Sequence, residues 1–371
     1  MKILIDINHP AHVHYFKNMI KIMEESDVKF KIISRNKEIE HYLLDHYKIS
    51  HLDRGVGRTS FFGKFFYFFY EIYFIFKELF RFKPNFVISF GTPYPAIASY
   101  LMGIDHISIN DTEHAKLHQL LTNPFSKVIL TPSCFKEKLG PKQIMFNSFM
   151  ELSYLSAPYF TPDENILKVL KINKMEKFVI VRFVSWNAVH DKGHTGLTLE
   201  NKIKAVLEFS KYAKVFISSE GFLPEKLEKY RISIPPERMH DALAYYSLFY
   251  GESATMASES ICLGTPAIYL DNDGRGYTDE QENKYNLVYN YNESSADQLA
   301  SIKKGVDLLK EDNSELFKDR QKKLLNDKVD LTKFLIWFFK NYPKSISIMR
   351  KNKDYDKKFN LVTKSFYGHK A

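Results

Sequence analysis

The strongest chemical signal in the chain is the segment 248–270, LFYGESATMASESICLGTPAIYL: an apolar strand, a turn of small residues, a helix and a second apolar strand. A helix that begins near Ala254 leaves the amides of Ser253, Ala254, Thr255 and Met256 without intrahelical partners. Its positive end then faces the exit of the strand, where a diphosphate would be held. Glu259 follows Thr255 by four residues and shares its helix face, where a carboxylate can accept hydrogen bonds from both hydroxyls of a ribose. A plainer assignment is open at the same residues, with Ser253 as a helix cap and Glu259 as a solvated charge. Arg182, Ser185, Ser219, Glu220 and His240 stand at or just beyond strand ends in the same half of the chain. The planar fork of Arg182 suits a diphosphate, and equally a structural ion pair. His190, Asp191 and His194 in HDKGH are metal-ligand types without a further ligand set, so a polar loop is the expectation there.

The first half offers three loops. NHPAHVH follows the first strand and carries His9, His12 and His14, whose imidazoles titrate near neutral pH and so suit proton transfer. Asp6 with these histidines is a rival metal reading, and simple helix capping and packing is a third. INDTEHA brings together Asp111, Glu113 and His114, a set able to divide acid and base roles by environment. Asp111 and Thr112 are also ordinary N-capping types for a helix near Glu113. In SFGTPYP, Gly91 and Thr92 are placed to approach a substrate.

These loops need a scaffold, and the pattern supplies one. KILIDI, KFKIISR, the strand before Gly91, HISIN and KVILTPS read as short apolar strands separated by helical runs such as 15–25. FVIVRFV, KVFISSE, LFYGES and PAIYL repeat the grammar, which argues for parallel sheets covered on both faces. A length of 371 residues fits two domains. We expect a first domain over 1–155, a linker over 156–175, a second domain over 176–340 and a tail over 341–371 that returns to the first. Lys and Arg outnumber Asp and Glu by 53 to 44, so the surface favours anionic partners. Cys134 and Cys262 have no partner at metal or redox spacing. The N-terminus enters a strand without the sections of a signal peptide, so a cytoplasmic place is expected. The aromatic run 61–82 carries five charges, too many for a spanning helix. Its apolar surplus calls for a second contact: the inner face of the cell membrane, a dimer interface or an interdomain seat.

NHPAHVHYFKNM, INDTEHA, VRFVSWNA and GESATMASESICLGTPAI together resemble the domain of unknown function family 354, from residue 1 to about 340. The segment 248–270 is in turn similar to the donor-nucleotide motif of GT-B glycosyltransferases and of the UDP-N-acetylglucosamine 2-epimerases that share their fold. The resemblance implies an α/β, GT-B-like fold of two Rossmann-like domains with parallel sheets facing an interdomain cleft. It implies a ribose-binding role for Glu259, and a donor-sugar or acceptor place for Gln281 and Asn283 in DEQENKYN. It singles out His12 as the base for an acceptor hydroxyl and matches Glu113 to a catalytic epimerase Glu, with Asp111 beside it. His14, His114, Gly91, Thr92 and Ser185 complete the expected lining. Ser253, Ala254 and Thr255 stand where those enzymes have paired glycines. LDND at 270–273 would contact donor sugar, since in the GT-B arrangement a helix dipole and Arg or Lys replace a metal's charge. The implied reaction moves a sugar from a nucleotide donor, such as a UDP-sugar, to a polysaccharide or lipid-linked acceptor in surface-glycan synthesis, with no cofactor. Epimerisation of a sugar nucleotide is the alternative. A non-catalytic basic protein on membranes or nucleic acid is the third, and no nucleic-acid motif supports it.

Overall fold

The computed structural model describes residues 1–36, 39–57, 61–184, 195–219 and 221–361. KILIDI forms β1 (Lys2–Ile7), buried at every residue after Lys2, as only a central strand covered on both faces is. It is followed by α1 (Pro10–Glu24), β2 (Lys29–Ser34), α2 (Glu40–His46), β3 (His51–Asp53), α3 (Phe61–Phe82), β4 (Phe86–Phe90) and α4 (Pro93–Leu101). Then come β5 (Asp105–Ile109), α5 (Lys116–Thr122), β6 (Val128–Pro132), β7 (Gln143–Phe146) and α6 (Leu152–Leu155). A second series starts at α7 (Asn165–Val169) and runs through β8 (Phe178–Phe183), α8 (Leu199–Phe209), β9 (Lys214–Ser219), α9 (Glu225–Glu228), α10 (Met239–Leu243) and β10 (Leu248–Gly251). It continues with α11 (Ala254–Cys262), β11 (Ala267–Leu270), α12 (Gly276–Asn283), β12 (Val288–Tyr291), α13 (Ser295–Lys310) and α14 (Ser314–Asp327), before α15 (Leu331–Lys340) and α16 (Lys344–Lys351).

The chain divides into two units, Met1–Tyr154 with Lys328–Asn360, and a second that begins at Leu155 and runs to Asp327. The first sheet has the order β3-β2-β1-β4-β5-β6-β7 and the second β12-β11-β10-β8-β9, and every pairing in both is parallel. In each sheet the winding reverses direction once, between β1 and β4 in the first and between β8 and β10 in the second. At such a reversal the loops leaving adjacent strands diverge, and a ligand crevice opens at the carboxyl ends.

The C-terminal return starts at Lys328 rather than at the expected 341. The reason is the apolar face of α15: Phe334, Leu335, Phe338 and Phe339 are buried, with Phe339 5.8 Å from the Phe86 ring and Phe334 5.8 Å from Phe146. Thr332 adds a 2.7 Å hydrogen bond to the Ser153 carbonyl. On α3, Ile75 and Leu79 join the first core while Glu71 and Glu78 are also buried. Among the described residues no helix is long and apolar enough to cross a membrane.

His106 of β5 lies in the first core between the hydroxyls of Ser89 and Ser126, each 2.9 Å away. Burial pushes its pKa down to about 3. An unfolded chain protonates this ring near pH 6.5, so between about pH 6.5 and 3 the unfolded state binds the extra proton and stability falls as pH falls. This one group contributes a slope of at most about 1.4 kcal/mol per pH unit. Urea denaturation at several pH values should show His106→Gln losing that part of the acid-side slope while the slope above pH 7 is unchanged. An identical acid-side slope in the two proteins would remove His106 as its source.

Candidate functional site

The second unit builds its site at the β8/β10 reversal. Gly251 ends β10 pressed against β8: a Cβ there would sit 2.2 Å from the Arg182 carbonyl oxygen, so no side chain fits. The next residue, Glu252, is buried and its carboxylate accepts from the Val184 amide at 2.9 Å and the Leu197 amide at 2.6 Å, with Lys202 Nζ 3.7 Å away. Glu293 does the same from beyond β12, taking the amides of Thr195 and Gly196 at 2.7 and 2.9 Å. Two buried carboxylates therefore fix both described ends of the loop that follows β8. Neither was singled out in the sequence, where a Glu after a strand looks like any surface charge. Ser185, His190, Asp191, His194 and Glu220 lie outside the described residues.

Ser253 is the N-cap of α11, and its Oγ accepts from the Met256 amide at 3.3 Å. The expected amide at Met256 is thus already engaged, and the helix offers an anion the amides of Ala254 and Thr255. Glu259 is buried and not a solvated charge: its Oε1 lies 2.8 Å from His240 Nε2. The Phe160 ring meets His240 edge-on at 6.3 Å. His240 thus orients Glu259, which joins two residues expected to act separately. Arg182 donates to the Ser218 hydroxyl at 2.7 Å, its register partner on β9. Ser219, the residue expected there, turns to the Gly221 backbone instead because alternate residues of a strand point to opposite faces.

Gln281 donates to Ser258 Oγ at 2.8 Å and is buried between α11 and α12, whereas Asn283 is exposed at the far end of α12. The structure therefore uses Gln281 to dock the two helices and leaves Asn283 away from α11. The 270–273 segment supplies Asp271, which accepts from Tyr269 at 2.5 Å and from the Asp273 amide at 2.7 Å. Arg275, 3.4 Å from Asp271, precedes α12 and was missed because glycines flank it in what reads as a turn. Sheet order puts β8, which carries Arg182, and β11, which leads into Asp271 and Arg275, on either side of β10.

In the first unit the β1/β4 reversal is held by a buried ion network. Arg54 donates to Asp6 and to Asn8 Oδ1, and its Nε faces Glu71 of α3 at 2.8 Å. Asn8 donates to Asp6 at 2.8 Å and to Thr92 Oγ1 at 2.5 Å, tying the loop after β1 to the loop after β4. Burial raises the pKa of Asp6 and of Glu71, a push that Arg54 partly offsets. Burial alone would lower the Arg54 pKa, but Asp6 and Glu71 hold it above its usual value.

His9 caps α1, its Nδ1 accepting the Ala11 amide at 3.2 Å, and His12 Nδ1 faces the Asn8 amide at 3.4 Å. Asp6, the carboxylate of the rival metal reading, is committed to Arg54 and Asn8. Burial, with His9 alongside, holds the His12 pKa well below the usual imidazole value. The amide also fixes the proton on Nε2, so His12 is arranged as a donor and a poor base. His14 is turned to the other side of α1, stacked on Tyr154 at 5.3 Å and 3.3 Å from Lys17, a packing residue apart from His12.

Gly91 has φ 63, the left-handed region that favours glycine, and a Cβ there would meet nothing nearer than Asn110 at 4.0 Å. In the loop after β5, Asn110 accepts the Thr112 amide at 3.0 Å, and Gln119 donates to the Thr112 and Glu113 carbonyls. Asp111 and Thr112 do not cap α5, which begins at Lys116 without a side-chain cap. Thr112 donates to Asp111 at 2.9 Å, and Glu113 accepts the Lys136 amide at 3.1 Å. Both carboxylates are buried, and His114 stands half-buried beside them.

Residues 1–293 match a family model described as a protein of unknown function, DUF354. Among solved structures the chain is similar to S. aureus MnaA with UDP, at 11% identity and a TM-score of 0.68, over 93% of this chain and 98% of that one. It is similar to UDP-GlcNAc 2-epimerase from Neisseria meningitidis bound to UDP-GlcNAc, at 13% identity and a TM-score of 0.61, over 88% and 98%. The spinosyn rhamnosyltransferase SpnG with spinosyn aglycone matches at 10% identity and a TM-score of 0.55, over 95% and 100%. At these identities the shared property is the fold, which is α/β and GT-B-like as expected.

Arg54 keeps two carboxylates in its grip, so Arg54→Met should leave them buried and uncompensated at a cost of roughly 3–5 kcal/mol. Urea unfolding of the full chain would measure it. A change below about 1 kcal/mol would show that water reaches this network and that it does not organise the loop.

Proposed function

The chain belongs to the DUF354 family, and we propose that it is a nucleotide-sugar enzyme that transfers a sugar from a nucleotide donor to a glycan or lipid-linked acceptor. One observation carries the reading: the buried His240–Glu259 pair below the N-terminus of α11, at the reversal of a parallel sheet. A buried carboxylate held by one imidazole keeps its lone pairs in a fixed orientation, as recognition of a ribose diol requires. The amides of Ala254 and Thr255 and the guanidiniums of Arg182 and Arg275 would meet the diphosphate, stabilising the leaving nucleoside diphosphate as the glycosidic bond to phosphate breaks. UDP and UDP-GlcNAc in the similar solved structures make a uridine nucleotide the first donor to test.

In the transfer, the acceptor oxygen forms the new bond to the sugar carbon, the nucleoside diphosphate leaves with the old bonding pair, and the acceptor proton passes to a base. His12 is ill suited to that task for the reasons of tautomer and burial given above. Asp111 and Glu113 are the better bases, being carboxylates held by hydrogen bonds at the carboxyl edge of the sheet. Epimerisation of the sugar nucleotide is the second reading, and the same two carboxylates favour it, because it needs proton transfer at the sugar. Transfer is preferred for one feature of the first unit: an exposed apolar helix face suits an enzyme whose acceptor is held at a surface, and conversion of a dissolved nucleotide does not call for one.

Titration calorimetry with UDP should show Glu259→Gln binding about 10- to 100-fold more weakly, the loss expected for a charged hydrogen-bonding group. His240→Phe should lose a similar share through misorientation of Glu259. Equal affinity in all three proteins would place the nucleotide elsewhere and end the proposal. Incubation with UDP-sugar alone separates the two reactions: an epimerase interconverts or cleaves the donor, and a transferase leaves it largely intact until acceptor is added.

A further inference from the structure

Helix α3 is 22 residues long, about 33 Å at 1.5 Å per residue, and it carries apolar residues on two sides: Ile75 and Leu79 enter the core while other rings face outward. Phe62, Phe66, Phe69, Tyr73, Phe76 and Phe80 recur at alternating spacings of four and three, so they form one stripe along the helix. All six are exposed, four of them the most: Phe62 74%, Phe66 69%, Tyr73 66% and Phe80 66%. An apolar stripe of this length on a helix surface calls for an occupant.

The charges decide which occupant fits. The helix contains two carboxylates, Glu71 and Glu78. Both are buried: Glu71 faces Arg54, and Glu78 is paired with Lys31 and with Arg81. Lys77, Arg81 and Lys83 are exposed at the C-terminal end of the helix. The outward face is therefore aromatic and cationic with no acid on it. A second copy would bring the same cations and no carboxylate to meet them, whereas an anionic lipid surface supplies both a phosphate layer for the cations and an apolar boundary for the rings. Phe rings suit the oily side of that boundary, and the Tyr73 hydroxyl can meet its wet side.

We propose that the outward face of α3, from Phe62 to Phe80, is an interfacial membrane-binding surface that lies along the headgroup boundary of an anionic bilayer, with Lys77, Arg81 and Lys83 against its phosphates. The inference rests on this helix alone and stands whether the enzyme transfers or epimerises.

The test is flotation of the full chain with vesicles of phosphatidylcholine, with and without phosphatidylglycerol. The chain should float with the anionic vesicles and release as salt rises. Phe66→Ser with Phe69→Ser and Tyr73→Ser should lower partitioning at least about tenfold with an unchanged thermal melt, because these side chains are exposed in the folded protein. Lys77→Gln with Arg81→Gln and Lys83→Gln should lower it about tenfold or more on anionic vesicles and leave neutral vesicles unaffected. As a readout that needs no disruptive change, Phe66→Trp should give emission that shifts to the blue on vesicles and is quenched by brominated lipid. The proposal is overturned if the chain ignores both vesicles, if the triple serine variant floats as well as the parent, or if the emission stays that of a water-exposed indole. It is overturned equally if the stripe instead mediates a concentration-dependent dimer that the serine changes abolish.

Discussion

A carboxylate taken out of water costs several kcal/mol unless donors surround it, and that penalty organises both halves of this molecule. Asp6 and Glu71 are buried in the first unit, and Glu252, Glu259 and Glu293 in the second. Each draws its donors from a different loop or helix: Arg54 reaches Asp6 and Glu71, the amides of Val184 and Leu197 reach Glu252, and His240 reaches Glu259. The strands alone would place the loops near the carboxyl edges. The buried charges fix where those loops sit, because any other arrangement leaves a carboxylate bare.

The same constraint explains the odd orientation of α3. A crossover helix ordinarily buries its apolar stripe and exposes its charges. Here Glu71 must meet Arg54 and Glu78 must meet Lys31, so both carboxylates share the buried face with Ile75 and Leu79, and part of the aromatic circumference faces outward. The loop network and the exposed face are therefore one feature seen from two sides: the pairing that steadies Asn8 and Thr92 also sets which rings of α3 meet solvent.

Much of this was legible in the residues. The start of α11 near Ala254, its cap at Ser253 and the order of the longer strands follow from apolar runs and capping types, and the structure has them at those positions. Three strands were not legible. β3 is three residues, HLD; β7 is QIMF; and β12 is VYNY, each too short or too polar to stand out from a loop. Side-chain partners were the other blind spot. Ser218 rather than Ser219 meets Arg182 because of strand register, and Arg54 finds Asp6 across 48 residues of chain. Local pattern carries no record of either. The inward turn of Glu71 was hidden for the same reason: on a helix apolar nearly all round, distant ion partners choose the buried face.

The turn at 253–255 shows where the need for glycine lies. The resemblance drawn from the sequence sets Ser-Ala-Thr where paired glycines are expected, which suggests a backbone too hindered for close approach to a phosphate. The contact that tolerates no side chain is one step earlier, at Gly251, where a Cβ would strike the backbone of Arg182. Once β10 is pressed that closely to β8, α11 begins directly at the strand exit, with Ser253 in extended conformation and its hydroxyl directed back into the helix. Ala254 and Thr255 then occupy the first two helical positions, where an amide points along the axis while the Cβ leans aside. Small side chains at these two positions keep the amides free of bulk, and the close strand packing from which the helix starts is what Gly251 secures.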